Sequence, residues 1–444
     1  MEIVIIGGIA AGMSVAAKAK RTNKDAIITV IEKENFISFG ACGLPYYLGD
    51  QFDDQGEFFS RTPQQIIDSG INLMLTSEVT EANLEKKELT IFNSTTKETT
   101  TKSYDRLMIA TGANPIVPPI PGIDSTNVYT VTKPDRVKEL KTNLVNYKNI
   151  VVIGGGFIGI EVADQLAAKG KNVILIEADQ TVMSGPFDLE FSERLALAAK
   201  EEGVSIHVNE KAQEFLTEDG QVVSVKTDKG EYEADAVIVA VGFRPNTQFL
   251  NNQLETLRNG AIVIDAYGRT SMKDVYAGGD CATVEHRLAG TMYLPLATVA
   301  NKMGRIIGTN IAVSEDKQIP FNGALGSSAI KVGNYEAAST GLTEKHAKAL
   351  GLNIKTTCVE TNNHSNYYTV QEKITIKLVY DADTLVLYGA QLFGKNETVL
   401  RATGLTTAIH AGLTTTEIGF IDYSYAPPFA STWEAINVAA NTAK

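Results

Sequence analysis

The chain has 444 residues, enough for about three domains at ~150 residues each, and its 44% hydrophobic and 21% charged residues are ordinary for a soluble globular protein. A formal net charge of −12 argues against nucleic acid or an anionic membrane as a general partner, because both are polyanions. No apolar run reaches the ~18 residues of a membrane helix, and three scattered cysteines (Cys42, Cys281, Cys358) lack disulfide spacing, which points to a reducing cytoplasm.

The chain opens on "MEIVIIGGIAAGMSVAAKAKR", which predicts a buried strand, a glycine turn and a helix. Glu2 stands where an export signal carries positive charge, so no such signal is expected. The next strand, "AIITVIEKE", brings Glu32 to a position 25 residues after Gly7. This is the layout of a dinucleotide-binding unit: glycines for the turn, a helix N-terminus for pyrophosphate, an acid for a ribose hydroxyl. Ile9 occupies the middle glycine position of G-x-G-x-x-G. Then comes "FISFGACGLPYYLGD", with Cys42 among glycines ahead of a short predicted helix and no second cysteine nearby.

"YDRLMIATGANP" is an apolar strand ending in a glycine turn, where the chain is expected to cross between domains. The first pattern then recurs. "NIVVIGGGFIGIEVADQLAAKGKNVILIEAD" has all three glycines at Gly154, Gly156 and Gly159, and Glu177 follows 23 residues after Gly154. Two such units in one chain suit two dinucleotides, a flavin and a nicotinamide. Glu177 can accept hydrogen bonds from a free 2′-hydroxyl and would repel a 2′-phosphate, which favours NADH over NADPH. "ADAVIVAVGFRPN" predicts the return crossing. "TSMKDVYAGGDCA" sets Asp280 after a strand and two glycines, where it suits either a ribityl hydroxyl or a helix N-cap. Near 320, "SEDKQIPFNGALGSSAIKVGNYEA" passes from loop to strand-like alternation.

Over essentially its whole length the chain resembles the flavin-dependent pyridine nucleotide-disulfide oxidoreductases, through the two glycine motifs, "ATG" at Ala110 to Gly112, and "GGDCA". The resemblance implies an α/β fold with two Rossmann-like domains and a C-terminal α+β dimerisation domain. It divides the chain into 1–112 and 242–320 for FAD, 113–241 for NAD, and 321–444 for the interface of a cytoplasmic homodimer. FAD contacts are implied at Gly7, Gly8, Ile9, Ala10, Ala11, Gly12, Glu32, Lys33, Val79, Ala110, Thr111, Gly112, Asp280 and Ala297. Nicotinamide-cofactor contacts are implied at Gly154, Gly156, Phe157, Ile158, Gly159, Glu177 and Gly242, with the Phe157 ring covering the nicotinamide pocket. No metal is implied.

The lone Cys42 resembles the single-cysteine branch, which contains coenzyme A-disulfide reductases, NADH oxidases and NADH peroxidases. "SFGACGLPYY" is most similar to the S-F-x-x-C-x-L-P-Y-Y stretch of the coenzyme A-disulfide reductases. The histidine that peroxide-handling members often carry in the first glycine turn is Ala10 here. "HSNYY" and "DYSYAPPF" resemble that group's tyrosine motifs, placing Tyr367 and Tyr425 as the pair that reaches the partner's cysteine. Aromatic residues beside Pro427 and Pro428 also suit plain interface packing, and Thr369 replaces the proline that usually follows the first pair.

A helix N-terminus after Cys42 is expected to favour its thiolate, the reactive form. Without a resolving cysteine, its partner would be the substrate's own thiol. The implied cycle passes through a Cys42–coenzyme A mixed disulfide, is supplied with electrons by NADH and FAD, and uses Tyr425, helped by Tyr367, as proton donor. Ser14, Lys18 and Arg21 share one helical stripe and, with Ser38, match positions that bind coenzyme A. Ala41 in place of an asparagine, and Gly70 where a lysine sometimes stands, are departures. Cys281 is expected near the flavin without taking part, and Cys358 as a buried inert thiol. The same residues leave open an NADH oxidase working through a Cys42 sulfenic acid, a persulfide or polysulfide reductase, and a redox sensor.

Overall fold

The run EIVII forms the strand Glu2–Ile6, in the middle of a parallel sheet. This computed structural model describes residues 1–53, 55–369 and 371–444. One unit comprises Met1–Gly43, Asp54–Pro115 and Phe243–Ala324; the other comprises Leu44–Asp53, Ile116–Gly242 and Leu325–Lys444. Among the described residues no helix is long and apolar enough to cross a membrane.

In the first unit the parallel sheet runs Val275–Ala277, Arg106–Ile109, Glu2–Ile6, Ile27–Ile31, Asn72–Met74. Continuous Ile/Val runs suit strands buried on both faces, and Ile3, Val4 and Ile5 are wholly inside. Helix Ala10–Thr22 buries Met13, Val15, Ala16 and Ala19. It packs on helix Ala297–Asn310 through a glycine seam: a Cβ on Gly304 would stand 2.8 Å from the Ala11 carbonyl oxygen, and one on Gly308 2.7 Å from Lys18 Cβ. Antiparallel strands Ser77–Asn83, Glu88–Asn93 and Thr99–Ser103 are joined to this core through Val79, Ala82, Leu89 and Ile91.

The second unit repeats the plan. Its parallel sheet runs Val204–His207, Asn172–Ile176, Asn149–Ile153, Ala236–Val239, Val128–Tyr129, and helix Phe157–Ala168 follows Asn149–Ile153. An antiparallel sheet follows in the order Ser328–Val332, Tyr335–Gly341, Leu387–Lys395, Lys373–Asp381, Ile354–Asn362, with helices Thr398–Ala411 and Ala435–Asn441. The fold is thus two Rossmann-type α/β units plus an α+β part.

Within the second unit, the buried ammonium of Lys377 ties the two parts together. It lies 3.0 Å from Asp188, 2.5 Å from Glu190 and 2.7 Å from Glu344. Burial opposes both charges; the Glu344 and Lys345 N–H groups and the ammonium nevertheless hold Asp188 below the usual carboxylate range. The carboxylates likewise hold Lys377 above the usual lysine value against its burial. These three acids have the mutual spacing of a metal site, and they enclose the chain's own cation.

Two expectations need correction. Cys358 is exposed on the edge strand Ile354–Asn362, because register sets it on the solvent side; the buried thiol is Cys281, pushed up by burial. The predicted helix after Cys42 is short: Cys42 lies in the 3₁₀ turn Ala41–Gly43, and the α-helix Leu44–Leu48 has only five residues. Support from its dipole is correspondingly small.

Candidate active site

In the first unit, Gly7 has φ +104°, and a Cβ there would stand 2.1 Å from the Ala110 carbonyl oxygen, so only glycine allows the turn. Gly12 brings the helix against that turn, since its Cβ would stand 1.9 Å from the Gly7 carbonyl oxygen. The helix start, with Ile9 as cap, has neither a capping side chain nor an acid in its first turn. The N–H groups of Ala10, Ala11 and Gly12 therefore remain for an anion. The Glu32 carboxylate accepts the Gly8 N–H at 2.7 Å and the Glu34 N–H at 2.9 Å, and burial raises its pKa against those bonds. Lys33 beside it is exposed, and Val79 is buried in the core.

Asp280, after Gly279 at φ +78°, is raised in pKa by burial, and among the described residues its carboxylate accepts no hydrogen bond. A half-buried carboxylate that accepts no hydrogen bond from the described residues fits a sugar-like hydroxyl. Ala297 opens the second helix, whose first turn is likewise without a capping side chain or an acid. Thr111 donates to the Asn246 carbonyl at 2.7 Å, and the Gly112 carbonyl accepts the Asn246 N–H at 3.0 Å, closing the crossing. A cradle that any Cβ would fill, open helix N–H groups and two acids together fit FAD.

Cys42 is exposed. Its loop is anchored on the same turn: Ser38, held at φ +53°, donates its N–H to the Gly8 carbonyl at 2.9 Å. Phe36, Phe39, Phe58 and Phe59 brace the loop from behind, with ring centroids 5.3–5.6 Å apart. Ser14 donates to Asn301 at 2.9 Å. Lys18 is half-buried and Arg21 exposed, and among the described residues neither cation has a partner. Beside Gly70 the space is filled by the stem of Lys20, whose ammonium caps the Lys24 and Ala26 carbonyls at 2.9 and 3.1 Å.

The second unit builds a matching cradle. Gly154 also has φ +104°, with a would-be Cβ 2.4 Å from the Ala240 carbonyl oxygen, and the Cβ of Gly159 would stand 1.9 Å from the Gly154 carbonyl oxygen. Glu177 accepts the Gly155 N–H at 2.6 Å and the Asp179 N–H at 2.7 Å. Gly156 caps the helix without a side-chain bond, leaving Phe157 half-buried and the N–H groups of Phe157, Ile158 and Gly159 available to a pyrophosphate. Gly242, at φ +105°, accepts the Ile116 N–H at 2.9 Å. These residues fit a second dinucleotide. Gly155 was legible by analogy with Gly8, and Asp179, which accepts from Ser184 at 2.7 Å, adds a second acid beside Glu177.

Tyr46 and Glu161 were not foreseen as a pair. Tyr46 donates to Glu161 at 3.2 Å, and burial pushes Glu161 up to about 7, with Asp164 adding to the rise and Tyr46 opposing it. The tyrosines 367 and 425 are brought together, hydroxyl to hydroxyl at 2.8 Å. Tyr425 is lowered by the Tyr367 hydroxyl and by Ser365, while the same contact with Tyr425 raises Tyr367.

The family model described as pyridine nucleotide-disulphide oxidoreductase matches residues 1–304, and the dimerisation domain of the same family matches residues 327–436. The chain is 33% identical to an NADH oxidase of Enterococcus faecalis, covering 100% of this chain and 99% of that protein. It is 36% identical to an NAD(P)H coenzyme A polysulfide/persulfide reductase of Pyrococcus horikoshii, covering 100% and 98%. Among solved structures, reduced CoADR-RHD of Bacillus anthracis superposes with a TM-score of 0.95 at 32% identity, covering 100% of this chain and 80% of that one.

Proposed function

The chain belongs to the pyridine nucleotide-disulphide oxidoreductase family, and on that premise we propose that it reduces coenzyme A disulfide, or a related small disulfide, with electrons from NADH. The carrying observation is the Tyr367–Tyr425 hydrogen bond, which lowers Tyr425 below the ordinary tyrosine value and so favours release of its proton. FAD, held by the first cradle, supplies a two-electron relay between nicotinamide and sulfur when bound.

Cys42 thiolate attacks one sulfur of the disulfide; that S–S bond breaks as the Cys42–coenzyme A bond forms, and the leaving thiolate takes the proton of a Tyr425 hydroxyl that reaches across the proposed dimer. Two electrons from NADH then cleave the mixed disulfide, returning Cys42 thiolate and a second coenzyme A. In sum, NADH, one proton and the disulfide become NAD⁺ and two thiols. Lys18 and Arg21, with Ser14 and Ser38, would hold the phosphates of coenzyme A. On this reading residues 1–112 and 242–320 hold FAD, 113–241 hold NADH, and 321–444 form the interface of a cytoplasmic homodimer. The exposed Leu400, Phe420, Phe429 and Trp433 supply an apolar face for that interface.

Similarity to the Enterococcus NADH oxidase favours a second reading, in which peroxide formed from O₂ oxidises Cys42 to a sulfenic acid. Ala10, where a histidine would assist peroxide, counts against it. Cys42→Ser decides between them. Bound FAD and its reduction by NADH should persist, while turnover of coenzyme A disulfide vanishes. If instead the wild type makes water rapidly from O₂ and the variant only peroxide, the oxidase reading holds. Full disulfide turnover by the variant would refute the role of Cys42.

A further inference from the structure

Tyr367 and Tyr425 stand on two irregular loops, and among the described residues no backbone hydrogen bond joins residues 363–369 to 423–431. What joins them is side chains. Arg401, on helix Thr398–Ala411, sends Nη2 to the Asn363 carbonyl at 2.8 Å and to the Phe429 carbonyl at 2.8 Å. These carbonyls belong to the two tyrosine-bearing segments. The Nε of Arg401 donates to Glu434 at 2.5 Å, and the Glu434 carboxylate also accepts the Ile436 N–H at 2.5 Å, capping helix Ala435–Asn441. Both members of this ion pair are nine-tenths buried. Ser365 to the Ala430 carbonyl at 3.1 Å and Ser431 to the His364 carbonyl at 3.0 Å complete the junction.

We propose that Arg401, oriented by Glu434, is a positioning residue that sets the spacing of the two loops and thereby the hydroxyl-to-hydroxyl contact of Tyr367 with Tyr425. The proposal rests on the reading of Tyr425 as proton donor. A guanidinium is suited to this work because its planar fork can serve a carboxylate and two carbonyls at once in fixed directions. A lysine ammonium is a point charge on a flexible stem, and it cannot hold all three directions together. Glu434 neutralises the buried charge and is itself locked by a backbone N–H, so the guanidinium has one orientation. Loosening it lets the loops part, lengthens the tyrosine contact and returns Tyr425 toward its ordinary value.

The test is a double-mutant cycle of Arg401→Lys with Tyr425→Phe in the FAD-loaded enzyme. Turnover of coenzyme A disulfide and the rate of flavin reduction by NADH are measured separately. Arg401→Lys is expected to lower disulfide kcat about tenfold in the wild-type background and less than twofold in the Tyr425→Phe background, with flavin reduction unchanged in both. The pH at which disulfide turnover changes should move upward in Arg401→Lys. Equal losses in both backgrounds, or no loss in either, overturn the positioning role. Full disulfide turnover in Tyr425→Phe alone overturns the proton-donor reading and the proposal with it. Should Arg401→Lys fail to fold, Glu434→Gln takes its place in the same cycle, with the same outcomes expected and refuting.

Discussion

Glu161 offers a sharp test of the second unit's electrostatics. Its pKa is raised from 4.5 to about 7, chiefly by burial, and Tyr46 supplies its hydrogen bond at 3.2 Å. Between pH 4.5 and 7 the folded chain therefore binds a proton that the unfolded chain has lost. Stability attached to this group is complete below the unfolded value and is lost as pH rises through the folded one. A rise of roughly 2.5 units corresponds to about 3 kcal/mol once Glu161 is ionised. Glu161→Gln keeps the shape and the acceptor for Tyr46 and removes the charge. It is expected to raise stability by under about 1 kcal/mol near pH 5, where the unfolded chain is already partly ionised, and by about 2–3 kcal/mol at pH 8. At roughly 2–4 °C per kcal/mol for a unit of this size, the apparent Tm at pH 8 should rise by about 4–12 °C. Paired thermal melts of wild type and variant at the two pH values supply the measurement. A Tm difference that is the same at pH 5 and pH 8 would refute the reasoning.

Glu177→Arg should narrow the preference for NADH over NADPH by roughly tenfold in kcat/KM, since a carboxylate a few Å from a 2′-phosphate in a solvated turn costs about 1.5 kcal/mol. Steady-state kinetics with both cofactors check it, and a wild type that prefers NADPH would contradict it. Lys18→Ala combined with Arg21→Ala should raise KM for coenzyme A disulfide about tenfold, at ~0.5–1 kcal/mol per exposed ionic contact. Flavin reduction by NADH should be untouched, and an unaltered KM would return both cations to an ordinary solvated face.

Family, fold and both dinucleotide cradles were legible in the chain because each cradle is a local object. Gly7, Gly12 and Glu32 lie within one strand-turn-helix-strand, and so do Gly154, Gly159 and Glu177. Positive φ, a close helix approach and a carboxylate at the next strand's end follow from residue type and spacing alone. The pairing of Tyr367 with Tyr425 could be drawn from resemblance, but their direct contact spans 58 residues of chain and depends on how two irregular loops are held. Arg401 reads as an ordinary helical residue until the tertiary structure brings Asn363, Phe429 and Glu434 around it. Glu161 reads the same way, one turn beyond Phe157, until Tyr46 arrives from 115 residues away. Cys358 departs from its expected burial for a related reason: which face of a strand meets solvent is set by its neighbours in the sheet. Local hydrogen bonding and backbone sterics are written in short stretches of sequence. Burial, and with it pKa and the orientation of a side chain, depends on what distant parts of the chain bring to its surface, and tertiary packing alone decides that.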